Sequence, residues 1–95
     1  MDNMVSLEVK KDLISLAGYD YGKEIFSTQI KNKIDLTKDF NIVIPANIKF
    51  VASSFVQGLF SEIINEIGLQ ATEEKAHIYS ENKKIKQTFM SKLGW

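Results

Sequence analysis

The sequence predicts a small α/β (α+β) domain, a short mixed sheet of three to four strands with about three helices packed on it. Two observations carry this expectation. Alternating or β-branched stretches recur between segments of helical apolar spacing, in the order strand, helix, strand, helix, strand, helix; such an order lays helices on a sheet. The composition is that of an ordinary globule, 95 residues with 44% apolar and 25% charged. That suits a single domain over residues 1–95 with one modest core.

Val5, Leu7 and Val9 alternate with Ser6, Glu8 and Lys10, which predicts a strand with one buried face. Residues 11–18 fit either a continued strand or a helical turn ending at Gly18. Asp20 is the expected N-cap of a helix in which Ile25, Phe26, Ile30 and Ile34 recur at helical spacing. Lys31 and Lys33 fall near its end, where cations suit the helix dipole. Asp35 to Asp39 reads as a turn. Ile42, Val43 and Ile44 are consecutive β-branched residues, the pattern of a strand buried on both faces, and Pro45 marks its end. Ile48, Phe50 and Val51 form a short extended piece leading to Ser53.

The clearest helix follows. Phe55, Val56, Leu59, Phe60, Ile63, Ile64 and Ile67 give a broad apolar face, with Ser53 as the expected cap and Gly68 as a Schellman-like end. Gly58 lies inside this helix at a cost of about 1 kcal/mol against alanine, which points to close packing there. Ala76, Ile78 and Ser80 surround His77 and Tyr79 in a last strand. Ser80 or Asn82 caps a final helix whose inner stripe is Ile85, Phe89, Met90 and Leu93, with Lys83, Lys84, Lys86 and Lys92 outside. An open edge strand on so small a chain also makes a homodimer an expectation.

The inventory excludes several kinds of chemistry. There is no cysteine, so no disulfide, thiol nucleophile or thiolate metal site, and a single histidine, His77, does not make a zinc site. Twelve lysines balance twelve acids and arginine is absent, which argues against nucleic acid as a partner. No apolar run is long enough to span a membrane, and the start of the chain lacks the basic and apolar parts of a signal peptide. A cytoplasmic protein without membrane contact is expected.

Candidate sites are correspondingly few. Ser53 and Ser54 stand at a helix start, where the dipole and free amides would stabilise a phosphate; the plainer reading is a cap. Neither serine sits in a nucleophile elbow, and His77 reads as an ordinary strand residue. Glu62 and Glu66 share an outward helix face, as solvated carboxylates do. Gly18 and Gly22 match no phosphate-binding loop. The lysines of the last helix read as a solvated face. Trp95 either packs back on the core or stays exposed as a contact. No catalytic, cofactor-binding or metal-binding set emerges, so the chain is expected to be non-enzymatic and to need no cofactor.

One segment resembles a known family. Asn41 to Phe60 runs from the hydrophobic strand Ile42-Val43-Ile44 through Pro45 to the pair Ser54-Phe55 and into a helix. This resembles the central motif of small STAS-like proteins of bacteria and phages, a family of unknown function. Gly22-Lys23-Glu24-Ile25 upstream and Ile78-Tyr79-Ser80-Glu81-Asn82 downstream also fit, so the resemblance covers about residues 19–93. It implies a STAS-like fold and a regulatory, protein-binding role. In the wider STAS class, anti-anti-sigma factors bind a histidine-kinase-like ATPase and are switched by serine phosphorylation at the start of the equivalent helix. Ser53 then matches the phosphoacceptor, with Ser54, Phe55 and Gln57 as further partner contacts. Ala52 replaces the preceding aspartate, Gln57-Gly58 replace an acidic pair, and Pro45-Ala46 replace an acid at the strand end. These changes remove negative charge around the helix start. Two other readings stand beside this one: a small phage or mobile-element inhibitor that blocks a host enzyme, and a small-ligand binder.

Overall fold

A computed structural model describes residues 3–93; Trp95 and the side chains of Lys92 and Leu93, named above, lie outside the described residues. The α+β class expected from the sequence is what the chain adopts. Among the described residues the strands are five, in two parallel groups, and the α-helices four, one of them continued by a π-helical turn. β1 (Met4–Ser6), β3 (Phe40–Val43) and β5 (Ala76–Tyr79) form a sheet in that order, with Val5 beside Ile42 and Ile42 beside Ile78. β2 (Ser15–Leu16) pairs with β4 (Phe50–Val51). Residues 11–18 thus resolve into a loop and a short strand. Asn47 holds the loop through Nδ2, 2.6 Å from Leu13 C=O.

The helices cover one face of the larger sheet. Phe40, Ile42 and Ile44 are buried, while Asn41 and Val43 between them are only half-buried. Ala76 and Ile78 are buried, and His77 and Tyr79 are exposed. The expectation that Ile42-Val43-Ile44 is buried on both faces is therefore corrected. Val43 turns to the face on which no described helix packs.

α1 (Tyr19–Ile25) follows β2 and continues as a π-helical turn over Phe26–Ile30. Lys31 N–H reaches back five residues to Phe26 C=O at 2.9 Å. The local cause is competition for one acceptor: the hydroxyls of Ser27 and Thr28 both donate to Glu24 C=O, at 3.1 and 2.7 Å. Side-chain bonds of this kind divert a backbone carbonyl from the α-helical ladder. The turn also delivers Gln29 to the end of β1. Its amide accepts from Glu8 N–H at 2.7 Å and donates to Glu8 C=O at 2.8 Å.

α2 (Ser53–Ile67) lies against α1 in the most extensive helix contact of the molecule. Two glycines make the approach possible. A Cβ on Gly22 would overlap Phe55 C=O and stand 2.6 Å from Leu59 N. A Cβ on Gly58 would overlap Tyr19 C=O and stand 2.8 Å from its carbonyl carbon. Each helix thus presses its backbone on a glycine of the other, and the sequence reading of Gly58 is borne out. Gly68 ends α2 where expected, with its N–H on Ile64 C=O at 2.7 Å, but at φ 87° and ψ 159° it is not left-handed helical, so the expected Schellman-like form is corrected.

α3 (Leu69–Lys75), absent from the sequence expectation, bridges Gly68 to β5. Its one buried residue, Thr72, bonds its hydroxyl to Gly68 C=O at 2.7 Å. α4 (Lys83–Leu93) returns over α2 and buries Ile85 and Phe89. Phe89 meets Phe55 and Phe60 edge-on at 6.3 and 6.4 Å between ring centroids. Asn82 Oδ1 accepts Lys84 N–H at 3.0 Å and caps this helix. Among the described residues no helix is long and apolar enough to cross a membrane.

Candidate functional site

The start of α2 is built from two rungs of backbone pairing. Ile14 C=O accepts from Lys49 N–H at 2.7 Å and from Phe50 N–H at 3.2 Å, and Leu16 C=O accepts from Ala52 N–H at 2.8 Å. β4 therefore enters α2 along a fixed path. Ala52, in extended conformation, occupies the N-cap, and its C=O takes the N–H groups of Phe55 and Val56 at 3.1 and 3.3 Å.

This corrects the assignment of Ser53 as the cap. Ser53 is the first helical residue, exposed, and no side chain caps the helix. Ser54 is half-buried, and its Oγ accepts Gly18 N–H at 3.0 Å, tying the end of β2 to α2. The expected cap of α1 is corrected too. That helix begins at Tyr19, with Gly18 at φ 102° before it and Asp20 inside its first turn. A residue with positive φ is where glycine is preferred, and aspartate follows two places later.

The four residues singled out from the sequence thus separate. Ser53 faces solvent. Ser54 is a structural tie. Gln57 is half-buried on the next turn. Phe55 is fully buried, its ring 5.6 Å from Tyr21 and 6.3 Å from Phe89, so it supports the segment from within.

The exposed aromatic at this site is Phe50, at 65% exposure, and Ile14 beside it is 51% exposed. Tyr19, which opens α1, is also exposed, with Lys23 Nζ 5.8 Å from its ring centroid. Phe50 was visible in the sequence as part of the lead-in to Ser53. Ile14 was not, because nothing in residues 11–18 fixes which of Leu13, Ile14 and Leu16 turns inward. Leu16 is buried and Ile14 is bare.

The remaining candidates are peripheral. Glu62 and Glu66 are exposed. His77 Nε2 stands 3.4 Å from Asp39 Oδ2, both side chains largely in solvent. Pairs of this exposure contribute little to stability. No cluster of three or more metal-ligating side chains occurs among the described residues. A depression of about 350 Å³ lies open at the ends of β3 and β5, between Pro45 and Tyr79.

Comparison with family models, curated proteins and solved structures returns no match.

Proposed function

We propose that the chain is a non-enzymatic protein-interaction or regulatory module of the STAS-like kind, binding a protein partner through the start of α2. The observation that carries this reading is the apolar surface beside Ser53. Phe50 and Ile14 are large side chains left bare on a junction whose backbone is pinned. Protein interfaces use such rigid, exposed anchors.

Ser53 adds a means of control. Its hydroxyl stands in solvent at the head of a 15-residue helix, where the dipole and unpaired amides favour a phosphate. A phosphate there brings charge beside Phe50 and opposes apolar docking. The resemblance to STAS-like proteins supports the same residue as phosphoacceptor and a histidine-kinase-like ATPase as partner. A cytoplasmic setting goes with this reading.

Affinity capture with the immobilised chain tests it. A partner held by the wild-type chain and lost from both Phe50→Asp and Ile14→Asp is the expected result. A partner held equally by all three places the interface elsewhere. Incubation with a kinase-like ATPase, followed by mass spectrometry, is expected to find phosphate on Ser53. Its absence removes the switch and leaves the binding surface.

A further inference from the structure

We propose that a partner's extended peptide, carrying apolar side chains and a carboxylate, adds as a strand to the free edge of β2. This rests on the reading that the junction before α2 binds a protein, and it names the form of that partner. The phase of the β2–β4 ladder fixes which groups are on offer. Ile14 and Leu16 C=O accept from Phe50 and Ala52 N–H at 3.2 and 2.8 Å. Successive residues of a strand point their peptide groups in opposite directions, so Ser15 N–H and C=O turn away from β4, as does Ala17 N–H. None of the three finds a hydrogen-bond partner among the described residues. That side of the strand is open: Ala17 is exposed and Ser15 half-buried. A hollow of about 390 Å³ is lined there by Leu13, Ser15 and Ala17, with Lys10 from before the strand and Tyr21 from after it. The edges of the larger sheet offer less. Ala76 and Ile78 of β5 are buried, and the Glu8 peptide just past β1 is held by the Gln29 amide. Ser15-Leu16-Ala17 contains no proline or charge, features that commonly blunt an edge.

The edge recognises a backbone, and its surroundings select the side chains. Leu16 and Val51 turn toward the core. Ser15 and Phe50, which pair across the ladder, therefore share the outer face. An added strand lies about 4.8 Å beyond β2. Ser15 is small, so a long apolar side chain of the peptide can lie across it toward the bare ring of Phe50. Charge completes the match. Residues 10–15 and 49–50 carry Lys10, Lys11 and Lys49 against one acid, Asp12. The three lysines are exposed, and none forms an ion pair among the described residues. Lys49 N–H donates to Ile14 C=O at 2.7 Å, which sets that residue beside the strand, and Lys10 lines the hollow itself. Uncompensated positive charge here suits an acidic residue of the peptide. Strand addition of this kind takes affinity from main-chain hydrogen bonds and selectivity from hollows that receive alternate side chains.

The probe is a displayed library of random linear peptides, selected on the immobilised full chain. Binders with alternating apolar residues and an Asp or Glu are expected. With a synthetic binder added, amide hydrogen exchange read by NMR is expected to slow at Ser15 and Ala17. It is expected to stay unchanged at Leu16, which already pairs with β4. Ser15→Pro removes an outward N–H and leaves the β2–β4 ladder intact; it is expected to weaken the peptide by about tenfold. Lys10→Glu is expected to weaken it by about fivefold at low salt and by less at high salt. Circular dichroism checks that both variants keep the fold, and the exchange pattern of the wild-type chain decides the matter if the proline disturbs the strand. No binder, a binder that leaves the Ser15 and Ala17 amides unprotected, or one indifferent to Ser15→Pro or to Lys10→Glu overturns the proposal. A wild-type chain that dimerises alone and loses this with Ser15→Pro gives the edge to a second copy and overturns it as well. Phe50→Asp separates the two readings. Peptides lost from Phe50→Asp but giving no protection at Ser15 and Ala17 sink strand addition and keep the Phe50 surface. Protection at Ser15 and Ala17 that survives Phe50→Asp keeps strand addition and removes Phe50 from the interface.

Discussion

Replacing Gly58 by alanine sets two effects of opposite sign against each other. Alanine in a helix interior is favoured over glycine by about 1 kcal/mol. Against that, the new methyl carbon would lie 2.8 Å from the Tyr19 carbonyl carbon and 3.0 Å from its Cα, and would overlap its oxygen. These are backbone atoms, so no rotamer change relieves them. To restore ordinary contact, α1 must retreat from α2 by about 1 Å, loosening the facing contact of Gly22 with Phe55 and Leu59. Overpacking of this kind costs roughly 1–3 kcal/mol, and a backbone clash belongs at the upper end. The net expectation is a loss of about 2 kcal/mol, or roughly 10 °C in melting temperature for a domain of this size. Thermal and urea unfolding followed by circular dichroism read it. Gly68→Ala is the control. It has no atom within 4 Å of the new carbon, so whatever it loses comes from its backbone conformation alone, φ 87° and ψ 159°, a region essentially only glycine adopts and worth roughly 1–3 kcal/mol. If Gly58→Ala is as stable as wild type, or more so, helix propensity alone governs the position and the close crossing of α1 and α2 is refuted.

The two serines at the head of α2 should behave differently. Ser54→Ala leaves the part-buried Gly18 N–H without its acceptor and is expected to cost about 1 kcal/mol or more in urea unfolding. Ser53→Ala is expected to stay within about 0.5 kcal/mol; equal effects would contradict the assignment of roles. Asp35 gives a pH prediction. Donation from the Thr37 hydroxyl, then from Thr37 N–H, with Lys38 adding attraction, holds its carboxyl below the ordinary 3.8. A folded value below the unfolded one means its stabilisation is complete above the unfolded value and fades as pH falls through the folded value. The window therefore lies below about pH 4. NMR titration is expected to place the Asp35 midpoint lower than in the unfolded chain, and Thr37→Val to raise it. No change in Thr37→Val would remove the hydroxyl as the cause.

Local signals were legible where one segment sets its own structure. The apolar spacing of α2, its end at Gly68 and the alternation of β1 all depend on neighbours in sequence. Gly58 was legible as an anomaly, although the backbone it admits, Tyr19, was not. α3 escaped because Gln70, Glu73 and Glu74 leave no apolar stripe, and its buried residue is a threonine held by its own hydroxyl. The cap of α2 was misplaced for a related reason. Two adjacent serines offer the same local chemistry, and the one that turns inward is chosen by Gly18, 36 residues away. Likewise, Phe50 and Phe55 are equivalent in composition. One becomes core and the other bare surface, because β4 gives way to α2 between them.

The open face follows from the order of the strands rather than from any single residue. Successive strands β1, β3 and β5 are laid down side by side in one direction. Right-handed crossovers between parallel strands then send α1 and α2 to the same face. A doubly wound sheet reverses direction partway, and that reversal opens the crevice in which such folds hold small ligands. The three described strands contain no reversal, and the depression at the ends of β3 and β5 lies open to solvent. The topology therefore offers surfaces more readily than a closed cleft. Parallel sheets are ordinarily covered on both faces, so a sheet with His77 and Tyr79 exposed on one side is a sheet still short of a layer. The open face and the Phe50 surface are separate demands of this kind. The first presents the polar-tipped rings of His77 and Tyr79 and the second bare hydrocarbon, which is why they call for different partners.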